Sequence, residues 1–375
     1  MNEIGFWDYT CPNNGSLERY TADDWDVLLD DMVEGGFKSL VLGIKWLTTG
    51  YRSQYSWLDQ RPDCTAIASD NKLIHHALEG ARRRGIRTWL LAVASIYQQR
   101  EFGVSPTAPF TPDPAGEGVA AYDLDHPYLG ERIDLLFAEI TDLFGSQADG
   151  MVVELEFCDA EAPHRVPIYN DWAASNDRPD FDTIKAIRLE PRSYPFLHWR
   201  DFTTSRRIEM LKRIERVVRE HGFTGSLASL VEMESVPMAL LGNVNLKMLQ
   251  AALPHWAVVT YDSIYDRRVN RLASMDLCIE QPRLLGLDVY YLTRGVMTFP
   301  LQPWVGPTTL PVQWQMSLED AARHRPEILW FMGADARVDG AVCSNVKLLA
   351  WGYSDGRSAR KDLMKLAREL GVTKA

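Results

Sequence analysis

The chain has 375 residues, of which 46% are hydrophobic, and it carries a formal net charge of -11 with a pI near 5.3. This length fits two ordinary domains or one large α/β barrel. The acidic balance argues against nucleic acid and against an anionic membrane as partners, because both require a basic face. A neutral or cationic ligand is therefore expected.

Hydrophobic patterning predicts eight strands that alternate with eight helical stretches, and the helices tend to end in glycine shortly before the next strand. The predicted strands cover residues 4–9, 37–46, 86–94, 149–157, 226–234, 257–262, 284–292 and 328–332. This rhythm is typical of a (β/α)8 barrel, so we predict an α/β TIM barrel that forms one domain over residues 1–375. A doubly wound sheet is the rival architecture. It would require a Gly-rich phosphate turn after the first strand, where this chain has Trp7-Asp8-Tyr9.

Local signals set several boundaries along the chain. Thr21 is predicted to cap the first helix and Gly35-Gly36 to stop it. Long connections follow the second, third and fourth strands, over residues 48–69, 95–124 and 158–200. The second of these shows no pattern of its own, and a loop of that length is usually functional or disordered. An amphipathic helix with apolar positions at Ile208, Leu211, Ile214, Val217 and Val218 is predicted after the third connection and runs to Gly222. We expect the three connections to wall a site.

The fourth predicted strand has the sequence DGMVVELEF over residues 149–157. Alternate residues share a face of a strand, so Glu154 and Glu156 are expected to point into the barrel near its C-terminal end. Burying an unpaired carboxylate costs several kcal/mol, and two acids in such a place indicate a functional site. A structural ion pair with an inward Lys or Arg is the alternative interpretation.

Active sites of such barrels lie at the C-terminal ends of the strands. The fifth strand repeats the acidic pattern of the fourth, and an aspartate ends the sixth. The predicted catalytic residues are Glu156, Glu154, Glu232, Glu234 and Asp262. The predicted substrate-binding residues are Trp7, Asp8, Lys45, Trp46, Tyr97, Tyr261, Tyr290, Tyr291, Arg294, Trp304 and Asp335.

Paired carboxylates in an aromatic-lined cleft fit glycoside hydrolysis, in which one acid protonates the leaving oxygen and a second carboxylate acts as nucleophile, base or charge stabiliser. No histidine ends a predicted strand, no Gly-rich phosphate loop follows strand seven or eight, and no serine elbow or Cys/His pairing is visible. We therefore predict a carbohydrate substrate and no cofactor or metal. A magnesium site built from Glu154, Glu156 and Glu232 is left open, since hard cations take oxygen ligands.

The sequence over residues 149–156 resembles the strand-four motif of family 18, chitinase-like glycoside hydrolases, and Tyr261-Asp262 is similar to that family's Tyr-Asp pair. The resemblance implies that Glu156 matches the catalytic glutamate. The same stretch resembles family 29 α-fucosidases, whose nucleophile would fall on Glu154. Val152 replaces an acid of the chitinase-like motif, so we predict a glycosidase-like barrel without assigning it to a named family.

Three functions follow from these observations. The first is a glycoside hydrolase in which Glu156 is the general acid and Glu154, Glu232 or Glu234 is the second carboxylate. The second is a carbohydrate-binding barrel without turnover, and the third is a carboxylate-metal isomerase, lyase or aldolase. The five scattered cysteines form no CxxC pair, and the N-terminus lacks a basic region followed by an apolar run. We therefore predict a cytoplasmic protein with no membrane association.

Overall fold

The computed structural model describes residues 3–8, 19–45, 49–58, 60, 62–94, 96–98, 108–109, 119–121, 124–125, 129–155, 165–185, 194–231, 244–261, 276–294, 310–333 and 356–373. Its strands are β1 (Glu3–Asp8), β2 (Ser39–Lys45), β3 (Arg87–Val93), β4 (Ile96–Gln98), β5 (Ala108–Pro109), β6 (Val119–Ala121), β7 (Gly150–Glu154), β8 (Ser226–Leu230), β9 (Ala257–Tyr261), β10 (Val289–Arg294) and β11 (Ile328–Met332). Strands β1, β2, β3, β7, β8, β9, β10 and β11 form a closed parallel barrel, and β11 pairs with β1 to close it. The predicted (β/α)8 barrel is confirmed.

Helices fill the intervals between the barrel strands. They are α1 (Ala22–Gly35), α2 (Thr65–Ala68), α3 (Lys72–Arg83), α4 (Leu129–Phe144), α5 (Arg165–Ser175), α6 (Phe181–Lys185), α7 (Tyr194–Glu220), α8 (Leu246–Ala252), α9 (Gln281–Leu284), α10 (Leu310–His324) and α11 (Gly356–Glu369). Thr21 caps α1 in a capping box with Asp24, and Gly36 ends it in the left-handed region at φ 73°. Both predicted signals are therefore confirmed. Among the helices that the structure describes, none combines the length and apolar composition needed to cross a bilayer.

Alternation along the strands produces two apolar layers. Inward-facing residues fill the barrel, where the Trp330 ring lies 5.5 Å from that of Trp7 and 5.6 Å from that of Trp89. A Cβ atom on Gly150 would lie 2.1 Å from the Trp89 ring, so the width of this indole requires glycine opposite it. Outward-facing strand residues pack with the helices in a second, larger cluster. The C-terminal ends of the strands are thereby supported from both sides.

Three predicted boundaries were wrong. Strand β10 begins at Val289, whereas residue 284 ends helix α9, because one apolar run crosses the junction between helix and strand. The connection after β3 contains a small antiparallel sheet in the order β4-β6-β5, which is too short to show alternation in the sequence. Helix α7 begins at Tyr194, inside the connection predicted over residues 158–200, because Trp199 and Phe202 pack in a different cluster and change the apolar spacing.

A buried ion cluster attaches the last helix to the first. The Asp31 carboxylate on α1 is 3% exposed and accepts two hydrogen bonds from Arg357, at 2.9 and 3.0 Å, and one from Arg360 at 2.6 Å. Burial alone would raise the pKa of Asp31, but hydrogen bonds and charges from Arg357 and Arg360 outweigh burial and lower it. The cluster therefore stabilises the packing of α11 against the barrel.

Replacing Asp31 with asparagine is expected to cost about 3 kcal/mol of unfolding free energy, because two guanidinium groups lose a buried carboxylate. The folded-state pKa is below the unfolded value, so this contribution is present at neutral pH and is lost as pH falls. The difference between wild type and variant should therefore narrow progressively below about pH 4. Urea unfolding at several pH values measures it. The matched control is Asp30→Asn, whose exposed pair with Arg84 should contribute less than about 1 kcal/mol. Equal losses in the two variants would contradict this account.

Candidate active site

Glu154 is the last residue of β7 and is 1% exposed. It lies opposite Val93 of β3 and shares a strand face with Gly150 and Val152, and Val152 belongs to the barrel interior. Met151 and Val153 on the other face pack with the helices. By this alternation the Glu154 carboxylate enters the barrel at its C-terminal end. A buried carboxylate there is costly unless other groups compensate for it.

Lys45 ends β2 at the same end of the barrel and has no exposed surface. The pairing with β3 shifts between Gly43 and Lys45, which marks a β-bulge. Bulges redirect side chains and are frequent beside active sites. The Gly50 amide donates to the Ile44 carbonyl at 2.8 Å. Buried Lys45 and buried Glu154 thus end two strands, β2 and β7, that flank β3.

Trp7 and Asp8 lie deeper than the sequence predicted. Trp7 has no exposed surface and packs in the barrel interior against Trp330, so it closes the barrel beneath its C-terminal end. Asp8 is buried at the end of β1 and, by alternation, shares the face of Phe6, which packs with the helices. The register thus directs Trp7 to the barrel interior and Asp8 to the helical layer, and their role in binding substrate stays a prediction.

Tyr290 and Tyr291 correct the prediction for the seventh strand. Because β10 begins at Val289, Tyr290 lies at its N-terminal end, and its ring is 5.1 Å from that of Trp89. Burial first, and then the nearby Asp288 carboxylate, raises the pKa of Tyr290 to about 12. Tyr291 faces the outer layer. These two tyrosines are therefore not at the end of the barrel that carries Glu154.

Other predicted positions are described only in part. Tyr97 lies in β4, Tyr261 ends β9 and Arg294 ends β10. The remaining predicted residues lie outside the described part of the chain: Trp46, Glu156, Glu232, Glu234, Asp262, Trp304 and Asp335. Their roles stay predictions. Glu156 comes two residues after the end of β7, and Glu232 follows Val231, whose amide donates to the Val259 carbonyl at 2.8 Å.

The connection after β2 is held by a buried carboxylate on α4. Glu139 accepts hydrogen bonds from Tyr51 Oη at 2.7 Å, Ser53 Oγ at 2.6 Å and the Gln54 amide at 2.7 Å. Trp57 in this connection is partly buried, and the Arg132 guanidinium lies 4.3 Å from its ring centroid. One face of this indole is therefore occupied by a cation–π contact.

The connection after β7 builds a core of its own, which we call the satellite core. It consists of Tyr169, Ala173, Phe181, Ile184, Trp199 and Phe202, from α5, α6 and the first turns of α7. Trp172 packs at its edge, with its ring 5.7 Å from those of Tyr169 and Phe202. This cluster is separate from both barrel layers. The connection that was predicted as a loop therefore contains helices with their own buried interface.

A second ion cluster, around Asp125, consists of residues that were not predicted from the sequence. The fully buried Asp125 side chain accepts from Arg165 Nε at 3.0 Å and from Arg206 Nε at 2.6 Å. The neighbouring Arg207, which is 2% exposed, donates from Nη2 to the Leu155 carbonyl at 3.1 Å. The available signal was the consecutive Arg206-Arg207 pair in an amphipathic helix. These contacts join the connections that follow β3 and β7 to helix α7.

No model of a known protein family matches the chain, and no curated protein sequence matches it significantly. Solved structures do share its fold. β-Galactosidase from the psychrophilic Marinomonas ef1 aligns with a TM-score of 0.66 at 12% identity, over 99% of this chain and 60% of that one. β-Galactosidase from the Antarctic haloarchaeon Halorubrum lacusprofundi aligns with a TM-score of 0.63 at 11% identity, over 100% and 58%. The catalytic domain of β-amylase from Paenibacillus polymyxa aligns with a TM-score of 0.59 at 9% identity, over 100% and 99%.

The fold is therefore that of a glycoside hydrolase-like TIM barrel, as the sequence analysis predicted. The chain spans about three fifths of the length of the two β-galactosidase chains and nearly all of the β-amylase domain. Identities of 9 to 12% establish the shared architecture alone. The identity of the reacting groups has to be argued from the residues of this chain.

Proposed function

We propose that the protein is a glycoside hydrolase that acts on a neutral oligosaccharide or glycoside through carboxylates at the C-terminal end of the barrel. The observation that carries the proposal is the buried Glu154 side chain, which enters the barrel from the last position of β7. The shared fold of glycoside hydrolases supports it. The location in the cytoplasm and the single domain over residues 1–375 belong to the same proposal.

In the proposed reaction Glu156 protonates the glycosidic oxygen while the bond from that oxygen to the anomeric carbon breaks. Glu154, Glu232 or Glu234 supplies the second carboxylate, and water completes hydrolysis. Repulsion between several carboxylates in one partly dry cleft disfavours the state in which all of them are ionised. One of them can therefore hold its proton near neutral pH. Lys45, buried at the same end, offsets the negative charge that the remaining acids carry. The satellite core and the connection after β2 would form walls of the cleft.

A panel of aryl glycosides that vary in sugar and anomer tests the proposal directly. We expect release of the aryl alcohol from at least one member, with saturation kinetics and without added metal. Glu3→Gln is a suitable control, because Glu3 pairs with Arg87 at the opposite end of the barrel. This variant should keep wild-type kcat. Binding of a sugar without turnover would favour a carbohydrate-binding barrel.

The same assay separates hydrolysis by carboxylates from carboxylate-metal chemistry. Treatment with EDTA should leave the activity unchanged. Activity that is lost with EDTA and restored by Mg²⁺ or Mn²⁺ would contradict the proposed mechanism and favour an isomerase or lyase, since oxygen ligands suit these cations.

A further inference from the structure

Two consecutive arginines of α7 bind two different connections at the C-terminal end of the barrel. Arg206 donates to Asp125, which lies in the connection between β3 and α4. Arg207 donates to the carbonyl of Leu155, the first residue after β7. The thirteen residues of α7 before Arg207 have a length of about 20 Å at 1.5 Å per residue. The hydrogen bond to Leu155 places Arg207 where α7 passes the C-terminal end of β7.

The Leu155 carbonyl belongs to the peptide that joins Leu155 to Glu156. The last ladder contact of β7 toward β3 is at Glu154, whose carbonyl accepts from the Ala94 amide at 2.8 Å. The pairing with β8 ends at Val153. Leu155 thus follows the last position of β7 that pairs with either neighbouring strand in the described part of the chain. A charged donor from a buried guanidinium makes a strong hydrogen bond, and it fixes this peptide at the point where the chain leaves the barrel.

We propose that Arg207 is a positioning residue for the carboxylates at the end of β7. By holding the Leu155 carbonyl, it fixes the backbone between Glu154 and Glu156 and thereby the relative placement of the two acids. The inference rests on the proposed function, in which these acids react with the substrate. Displacing a reacting group by about 1 Å can cost up to 10²-fold in rate, so one backbone hydrogen bond is enough to matter.

The test compares Arg207→Met with Arg213→Met on the same helix. Arg213 pairs with Asp134 of α4 through two hydrogen bonds of 2.7 Å, away from the strand end, so it reports the general effect of losing an arginine from α7. Arg207→Met should lower kcat by about tenfold or more with KM changed less than about threefold. Hydrogen exchange of a peptide over residues 150–157 should become faster in Arg207→Met alone.

Arg207→Lys supplies the conservative variant. Its ammonium keeps the charge but reaches less far, so kcat and exchange should fall between those of wild type and Arg207→Met. If Arg207→Met does not fold, Arg207→Lys decides: reduced kcat with faster exchange over residues 150–157 supports the inference, and wild-type values overturn it. Equal losses of kcat in Arg207→Met and Arg213→Met would also overturn it, because they would indicate a general effect on α7.

Failure of the inference is distinguishable from failure of the proposed function. If no glycoside of the panel is hydrolysed, the proposed function fails, while faster exchange over residues 150–157 in Arg207→Met alone would still report the backbone contact. If Glu154→Gln and Glu156→Gln both keep the wild-type activity, the catalytic roles of these two acids fail and the inference fails with them. If both lose activity while Arg207→Met keeps wild-type kcat and exchange, the inference alone is overturned.

Discussion

Replacing Glu156 with glutamine is expected to lower kcat by about 10²-fold or more on a substrate with a poor leaving group. Glutamine keeps the shape of the side chain and removes the proton that the leaving oxygen requires. An aryl glycoside with a good leaving group needs little protonation, so the same variant should lose far less activity on it. Measuring kcat of wild type and variant on both kinds of substrate tests the role of this residue.

The ratio of the two losses is the informative quantity. Equal losses on both substrates would make Glu156 the nucleophile or a structural acid. Near-normal activity on both would remove it from the mechanism. Thermal unfolding of the variant serves as the control, because a loss of folded protein would lower both rates by the same factor.

Glu154→Gln is expected to lower kcat by about 10³-fold on both kinds of substrate. A second carboxylate stabilises the positive charge that develops on the sugar, and that charge develops whichever leaving group departs. Glu3→Gln is the matched control, because it changes a partly buried glutamate at the opposite end of the same barrel. A loss confined to the poor substrate would give Glu154 the proton-donor role that we assign to Glu156.

If Glu154→Gln keeps normal kcat on both substrates, the second carboxylate would have to be Glu232 or Glu234. The corresponding glutamine variants, assayed on the same two substrates, then identify it. The unfolding free energy of each variant should be measured together with its kcat, because removing the charge of a buried carboxylate can itself change the stability of the protein.

The barrel could be predicted from the sequence because its strands are buried on both faces and are separated by helices that end in glycine. Glu154 could be placed for the same reason, since alternation with Val152 and Val153 leaves one orientation. Tyr290 and Tyr291 were misplaced because the apolar run from residue 284 crosses from helix α9 into β10, and composition does not mark the junction. An error of a few residues in a strand moves a side chain from one end of the barrel to the other.

The contacts around α7 could not be predicted from local pattern. Asp125 meets Arg165 and Arg206, which are 40 and 81 residues away in sequence, and Arg207 meets Leu155 at a separation of 52. Only the folded barrel brings these residues together. The satellite core was missed for a related reason, since its aromatic residues come from three helices that the sequence presented as one long loop.

Because the satellite core is separate from the core of the barrel, the two are expected to unfold at different temperatures. Among the described residues the satellite core contains six buried side chains. Local opening of such a unit would break its own contacts, the Asp125 ion cluster, and the hydrogen bonds from Asn245 to Thr204 and Asp201. The barrel core is much larger, so we expect it to remain folded when the satellite core opens. If the satellite core walls the cleft, catalysis would stop at a lower temperature than the one that melts the protein. Substitutions meant to raise the temperature at which activity is lost would then target these aromatic residues and leave the barrel unchanged.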